Sequence, residues 1–343
     1  MRHIVRIGML SVTLWLAACG ARSPASPDGG SGSSTGTSQT AGHVVDILSG
    51  AGISGVTPAS ADRAITTAAS DTTGAFTIAV TGSSAGTLAL SFGGPGIVTR
   101  QTFMKVPGDP VTITAIASSF DLPAFNEMCR SSLISGSPVL MRWTTAPPLV
   151  IQTQTMQYTD INNAQFTTLS DTLSDNEYNG LVADLNWALP QMSGGQFGGF
   201  TGTARQNSAP GPAITMLVSG QSSIGRFVGL TAATGFAGYT RWQFRSDGVV
   251  TAGMIMLDRD FERSGATTLR ALRTHELGHA LGYNHVTVRT SVMNSTARFE
   301  PNDFDLKATK IAFLRQPGNH TPDIDPTGFS TNSLKLTWSA PIH

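Results

Sequence analysis

Between residues 275 and 285 the chain reads His-Glu-Leu-Gly-His-Ala-Leu-Gly-Tyr-Asn-His, and no other stretch constrains the fold as tightly. Residues four apart lie one above the other on an α-helix, so His275 and His279 present two imidazoles to a common point. Gly282 falls where such a helix has to stop. A glycine there takes the left-handed conformation at no steric cost and turns the chain sharply, which lets His285 swing back as a third ligand. Three neutral imidazoles leave a zinc ion its double charge and one open position, the donor set of catalytic rather than structural sites. Water in that position has a pKa near 7. Glu276 follows the first ligand and sits beside the metal rather than on it. It is placed to take a proton from that water during attack on a polarised carbonyl, then to pass it to the leaving amine. At this chain's own residue frequencies the five fixed positions coincide by chance on the order of 10⁻⁵ times per sequence.

The rest of the chain sets the context for that helix. At 343 residues and 40% hydrophobic content it can build about two domains with real cores. Lys plus Arg and Asp plus Glu each number 22, and no long basic run is present. The electrostatic footprint of a nucleic-acid binder is therefore missing.

At the N-terminus Arg2, His3 and Arg6 precede an apolar run that ends in Leu16-Ala17-Ala18-Cys19. The run is too short to span a membrane, which takes about 20 apolar residues, and it reads as an export signal over 1–19. Leu-Ala-Ala-Cys resembles the lipobox of bacterial lipoproteins. The resemblance makes Cys19 the lipidated first residue of the mature chain and a membrane anchor, and Gly20 after it favours the outer membrane or cell surface. An ordinary signal peptide cut nearby is the alternative. Lipidation would leave Cys129 as the only thiol of the two cysteines, with no intramolecular disulfide possible. Residues 20–41 hold almost only Gly, Ser, Thr, Ala and Pro and read as a flexible tether.

From 42 to 118 short alternating runs such as HVVDIL, AFTIAV and PVTITAI, punctuated by Gly, Pro and Asp, predict a small all-β sandwich. Ser70-Asp71-Thr72-Thr73-Gly74-Ala75-Phe76 resembles the turn-and-strand signature of carboxypeptidase-regulatory-like domains, a Greek-key fold; a generic immunoglobulin-like sandwich is the alternative. After a connector at 120–130, residues 119–315 read as an α+β domain. A strand is expected over Leu149–Gln157. Ser174 and Glu177 form a capping-box pattern ahead of an amphipathic helix that Gly194 and Gly195 end. Strands follow around ITMLVSG and YTRWQF, and Ser246-Asp247-Gly248 turns the second into VVTAGMIMLD as a hairpin. Helices are expected from about Ala266 to Leu281 and from about Phe304 to Leu314. The Gly-rich FVGLTAATGFAGYT reads as a loop near the cleft, and 316–343 as a Pro- and Asp-rich tail.

The pattern HExxHxxGxxH is that of the metzincin metalloproteases, and HELGHALGYNH is similar to the matrixin branch and its bacterial relatives. The resemblance covers roughly residues 130–315 and implies a twisted mixed sheet plus three helices, with a catalytic zinc held by His275, His279 and His285. Vertebrate matrixins hold a second, structural zinc, but only three of the seven His lie between residues 44 and 319, so one zinc is expected. A metzincin also places a Met in a tight turn beneath the metal, a role that passes to Met293 in Ser291-Val292-Met293-Asn294. Ser295 stands where astacins and serralysins carry Tyr, and Val286 where adamalysins carry Asp, so those subfamilies are disfavoured. Matrixins usually carry Pro shortly after the Met, and this chain does not, so the wall of the specificity pocket has no guide from the family. Cys129-Arg130 invites comparison with the propeptide thiol that blocks the zinc of matrixins, but the order is reversed and a structural thiol is the better reading. Asp160, Asn162 and Asn163, and again Asp323 and Asp325, are weak candidates for calcium, with no EF-hand spacing.

The sequence thus leads to an exported zinc endopeptidase acting on protein or peptide substrates, with ITMLVSG as the candidate edge strand for substrate. Two other readings stay open: a noncatalytic surface adhesion protein with a structural zinc, and a zinc amidase acting on cell-wall peptides. Glu276 weighs against the first, because a structural site gains nothing from a base beside an open position.

Overall fold

Seven short strands carry the first part of the chain in two sheets that share one core. The computed structural model describes residues 37–81, 86–134, 137–160, 165–207, 212–219, 237–327 and 336–338, without the side chains of 155–170, 219 and 336–338. The signal, Cys19, most of the tether, and Asn162 and Asn163 lie outside the described residues. In the first sheet β1 (Thr37–Asp46) is flanked by β4 (Ala75–Thr81), antiparallel, and β7 (Val111–Ala115), parallel, with β3 (Ile65–Thr67) beyond β4. The second runs β2 (Thr57–Ser60), β5 (Gly86–Gly93), β6 (Arg100–Val106), all antiparallel. Alternation places Phe76, Ile78 and Val80 of one sheet and Leu88, Leu90 and Phe92 of the other in the same apolar cluster. Asp71 builds the turn into β4, its Oδ1 accepting from the Thr73 and Ala75 amides at 2.8 and 3.0 Å. β1 starts earlier than the tether reading allowed. Thr37–Ala41 pair with Thr77–Thr81, because even a Ser- and Thr-rich segment forms a strand when a partner satisfies its backbone.

The second part is built on a six-stranded mixed sheet in the order β13, β10, β14, β16, β15, β17. Ahead of it β8 (Arg130–Ser131) and β9 (Val139–Leu140) pair with each other, and the strands of the large sheet are β10 (Leu149–Ile151), β13 (Thr203–Arg205), β14 (Ile214–Ser219), β15 (Gly238–Arg245), β16 (Val250–Asp258) and β17 (Leu336–Trp338). The segment expected as one strand over 149–157 breaks at Gln152: β11 (Gln154–Asp160) leaves the sheet and pairs with β12 (Gln165–Thr172). ITMLVSG is no edge. As β14 it lies between β10 and β16, parallel to both. The physical reason is that Ile214 to Val218 are all buried with Thr215 the one polar residue among them, and a near-continuous apolar run is the mark of a strand covered on both faces. β15 is the antiparallel strand beside β16, joined to it by the Asp247-Gly248 turn.

Helices cover the sheet. The connector at 120–130 is itself a helix, α1 (Leu122–Cys129), capped by Asp121 and started by Pro123 in its first turn. α2 (Asp175–Met192) begins with the Ser174 and Glu177 capping box, both hydrogen bonds being formed. α3 (Arg259–Glu262) is a single turn, α4 (Leu269–Leu281) carries the histidines, and α5 (Asp303–Leu314) follows. Among the described residues the domain therefore holds the three long helices expected plus α1 and α3. Arg273 of α4 ties α2 and α3 together, pairing with Asp184 at 2.6 Å and with Glu262. Among the described residues no helix is long and apolar enough to cross a membrane.

The two parts are joined by packing and by charge. Ile47 and Ile116 belong to the second part's core, and Lys310 Nζ donates to Leu48 O at 2.7 Å. Asp323 and Asp325, weighed above as calcium donors, are instead taken by cations. Arg100 reaches Asp323 at 3.0 Å and also binds Asp325, while Arg315 binds Asp323 at 2.7 Å. Asn319 donates to both carboxylates at 3.1 Å. With guanidinium groups on their oxygens, these side chains have no free donor face for calcium. Residues 323 and 325 also bond to Gln101 through the backbone, which fixes the beginning of the tail on β6.

Candidate metal centre

Every residue of α4 from Ala271 to Leu281 is buried, so the helix runs through the core rather than over it. It ends as its glycine requires. Gly282 adopts φ +112°, and a Cβ there would sit 2.7 Å from Met141 O. The Gly282 and Tyr283 amides close back on His279 O and Gly278 O at 2.9 and 3.0 Å. The reversal brings His285 to the face that His275 and His279 share.

The three Nε2 atoms lie 3.0, 3.1 and 3.3 Å from one another. Two of the rings have a fixed tautomer. His275 Nδ1 donates to Val292 O at 2.8 Å and His279 Nδ1 donates to Tyr283 O at 2.7 Å. A carbonyl only accepts, so each proton is on Nδ1 and each Nε2 lone pair faces the shared centre. Burial depresses both rings, His275 to about 4 despite its bond to Val292, and His279 well below the usual imidazole value. They are neutral at neutral pH, the form that binds metal. Lone pairs so close repel one another unless a cation sits between them. A tetrahedral zinc with bonds of about 2.0–2.1 Å separates its nitrogens by about 3.3 Å, so the donor set fits zinc in chemistry and spacing.

The supporting shell fixes these rings from below and from the side. A Cβ at Gly278 would collide with the Met293 sulfur, so Gly278 gives the fully buried Met293 its place against α4 under the histidines. The turn carrying Met293 is held by buried Asp305, which accepts from Ser291 Oγ at 2.5 Å and from the Val292 amide at 2.9 Å. Trp242 of β15 stacks on the His279 ring, with 6.2 Å between centroids and 5° between planes. The loop bearing His285 is clamped by α1. Asn284 N donates to Met128 O at 2.8 Å, and Glu127 accepts from the amides of Thr287 and Val288 at 3.0 and 3.3 Å.

Glu276 is buried beside the imidazoles, in a cleft of about 490 Å³ that it lines together with Thr240 and the three histidines. Thr240 Oγ1 donates to its Oε2 at 2.6 Å. A Cβ at Gly238 would lie 2.5 Å from Oε1, so β15 can approach the carboxyl only because it carries glycine there. Burial raises this carboxyl to about 8, the Thr240 bond pulling the other way. An adjacent dication acts in the same direction as Thr240, favouring the carboxylate.

His275, Glu276, His279, Gly282, His285 and Met293 thus lie together in the structure. Cys129 does not join them: it is fully buried in the core at the end of α1, where burial pushes its thiol up, and Arg130 beside it is engaged by Asn319 at 2.6 Å. Of the Gly-rich stretch expected as a loop, Gly238 to Thr240 are strand residues lining the cleft. Thr240, Gly238, Trp242, Glu127 and Asp305 are not among the site residues expected from sequence. Only Asp305 carried a local signal, since it completes a capping box with Asn302.

Residues 203–316 match the matrixin family model. No curated protein matches the chain. The matrixin segment contains the whole histidine cluster, Glu276, the Met293 turn and α5. A matrixin match over this segment and a three-histidine centre suited to zinc indicate a metzincin-like metalloprotease domain.

Proposed function

We propose that the protein is a zinc-dependent endopeptidase, and the observation that carries the reading is the convergence of three Nε2 atoms at 3.0–3.3 Å beside Glu276 in an open cleft. His275, His279 and His285 would hold the ion. Bound zinc supplies Lewis acidity, lowering the pKa of water and polarising the scissile carbonyl. Thr240 holds Glu276 Oε2 and so leaves Oε1 to accept the proton of the attacking water. The same oxygen returns it to the departing amine. Gly238, Tyr239 and Thr240 of β15 line the cleft, and among the described residues β17 pairs only with Gln243–Arg245, so this first part of β15, not β14, is the edge that would hold an extended substrate as an added strand.

The N-terminal strands are read as a carboxypeptidase-regulatory-like module with Greek-key connections, and Cys19 as a lipid anchor at the bacterial outer membrane or cell surface. Leu-Ala-Ala-Cys supports the anchor. Radiolabelled palmitate incorporation, present in the whole chain and lost in Cys19→Ser, tests it.

Zinc content and casein cleavage of the mature chain beside Glu276→Ala test the main reading. Equal zinc in both proteins with turnover reduced about 10²–10⁴-fold in the variant supports it. Equal turnover sinks the role of Glu276. Zinc bound without cleavage of any protein favours the adhesion reading, and release of cell-wall peptides alone favours the amidase.

A further inference from the structure

The segment after the Met293 turn puts a cation on the catalytic cleft. Ala297 takes the left-handed conformation, φ +48°, with its amide closing on Asn294 O at 2.9 Å, and Arg298 follows it as a lining residue of the cleft that holds Glu276. A non-glycine residue in that conformation is uncommon and clusters at functional sites. Arg298 is exposed and makes no hydrogen bond, ion pair or ring contact with any described residue, whereas the nearby Arg270 and Arg289 are paired with Glu300 and Asp121. Among the described residues the only carboxylate lining the cleft is Glu276, already engaged by Thr240. The wall of the same cleft includes Phe261, Leu272 and Ala297. A cleft lined by these apolar side chains and by an uncompensated guanidinium suits a side chain of short aliphatic stem and terminal carboxylate. The N-terminus of α4 does not oppose this: Thr268 lines the cleft, and the first turn of α4 carries no acidic residue.

We infer that Arg298 is a specificity-determining residue that selects substrates with an acidic side chain, glutamate above all, in a subsite adjoining the scissile bond. The inference rests on the endopeptidase reading and deepens it. No new covalent step is involved: the guanidinium pairs with the substrate carboxylate as the peptide enters.

The test uses the zinc-loaded mature chain and fluorogenic peptides with Glu, Gln or Lys at each position flanking the cleaved bond. Wild type is expected to prefer Glu over the isosteric Gln at one position by about fivefold in kcat/KM, the size of one partly solvated ion pair. That ratio falls to about one in Arg298→Ala, and Lys becomes preferred in Arg298→Glu. It also shrinks at high salt, which screens an exposed pair. Anisotropy binding of the Glu and Gln peptides to Glu276→Ala and to Glu276→Ala/Arg298→Ala reads the same ratio without turnover. Cleavage with a Glu-to-Gln ratio that neither Arg298 variant moves overturns the inference and leaves the endopeptidase reading intact. Failure to cleave any peptide or protein overturns both.

Discussion

Asp305 accepts the Val292 amide hydrogen at 2.9 Å, and the carbonyl of that same Val292 receives the Nδ1 proton of His275 at 2.8 Å. A carboxylate on α5 therefore orients a ligand on α4 through one residue of the Met293 turn. The relay sets both the tautomer and the tilt of the imidazole.

Substituting Asp305 by Ala is accordingly expected to weaken the metal centre without touching a ligand. Loss of such outer-shell partners typically lowers metal affinity about 10–100-fold. Competition with a chromogenic chelator measures it. Asp305→Ala with unchanged zinc affinity would show that the turn holds its shape without the carboxylate.

Thr240→Val removes the hydroxyl from Glu276 while keeping the side chain's volume. A hydrogen bond to a charged group contributes about 1.5–3 kcal/mol, so kcat/KM should fall at least about tenfold. Zinc content should stay the same, because Thr240 is not a ligand. Loss of zinc together with activity would point to a collapse of the cleft instead.

Gly282→Ala places a Cβ at φ +112° and 2.7 Å from Met141 O. Strain of that kind costs about 1–3 kcal/mol, and it acts on the residue that returns His285 to the metal. The expected result is a lower melting temperature and substoichiometric zinc, read by calorimetry and by metal analysis of the same sample.

The Arg100 cluster predicts a dependence on acid. Burial raises Asp325, but the hydrogen bond and charge of Arg100, aided by Asn319 and Thr102, outweigh it and hold the carboxyl below its ordinary 3.8. A depressed carboxyl stabilises the fold above its unfolded pKa, and that stabilisation is lost as pH falls through the folded value. Asp325→Asn should therefore be less stable than wild type at pH 7, with the gap closing below about pH 4. Arg100→Ala leaves buried Asp325 without its guanidinium, while Asp323 keeps Arg315, and should cost about 3–5 kcal/mol at pH 7. Urea unfolding at both pH values reads the differences.

The histidine cluster was legible because its spacing is a local property: four residues along a helix, then three to a glycine, then three more. The capping box of α2 was legible for the same reason. What escaped the sequence is set by contacts between distant segments. Thr240 meets Glu276 across 36 positions and Arg100 meets Asp325 across 225, and neither residue type announces a partner. The expected edge strand failed on a different count. Ile214 to Val218 carry an apolar run whose neighbours on each side, β10 and β16, come from opposite directions along the chain. Strand order follows from tertiary assembly, and periodicity alone is blind to it.

Glu127 and Met128 hold the loop that delivers His285, yet both lie more than seventy positions ahead of residue 203, where the recognisable segment begins. Ancestry and mechanics thus draw their borders in different places. A fragment cut at the homology boundary would keep every metal-binding side chain and lose the helix that steadies one of them. Its histidines would bind as a flexible peptide does, at an entropic cost that the intact chain meets during folding.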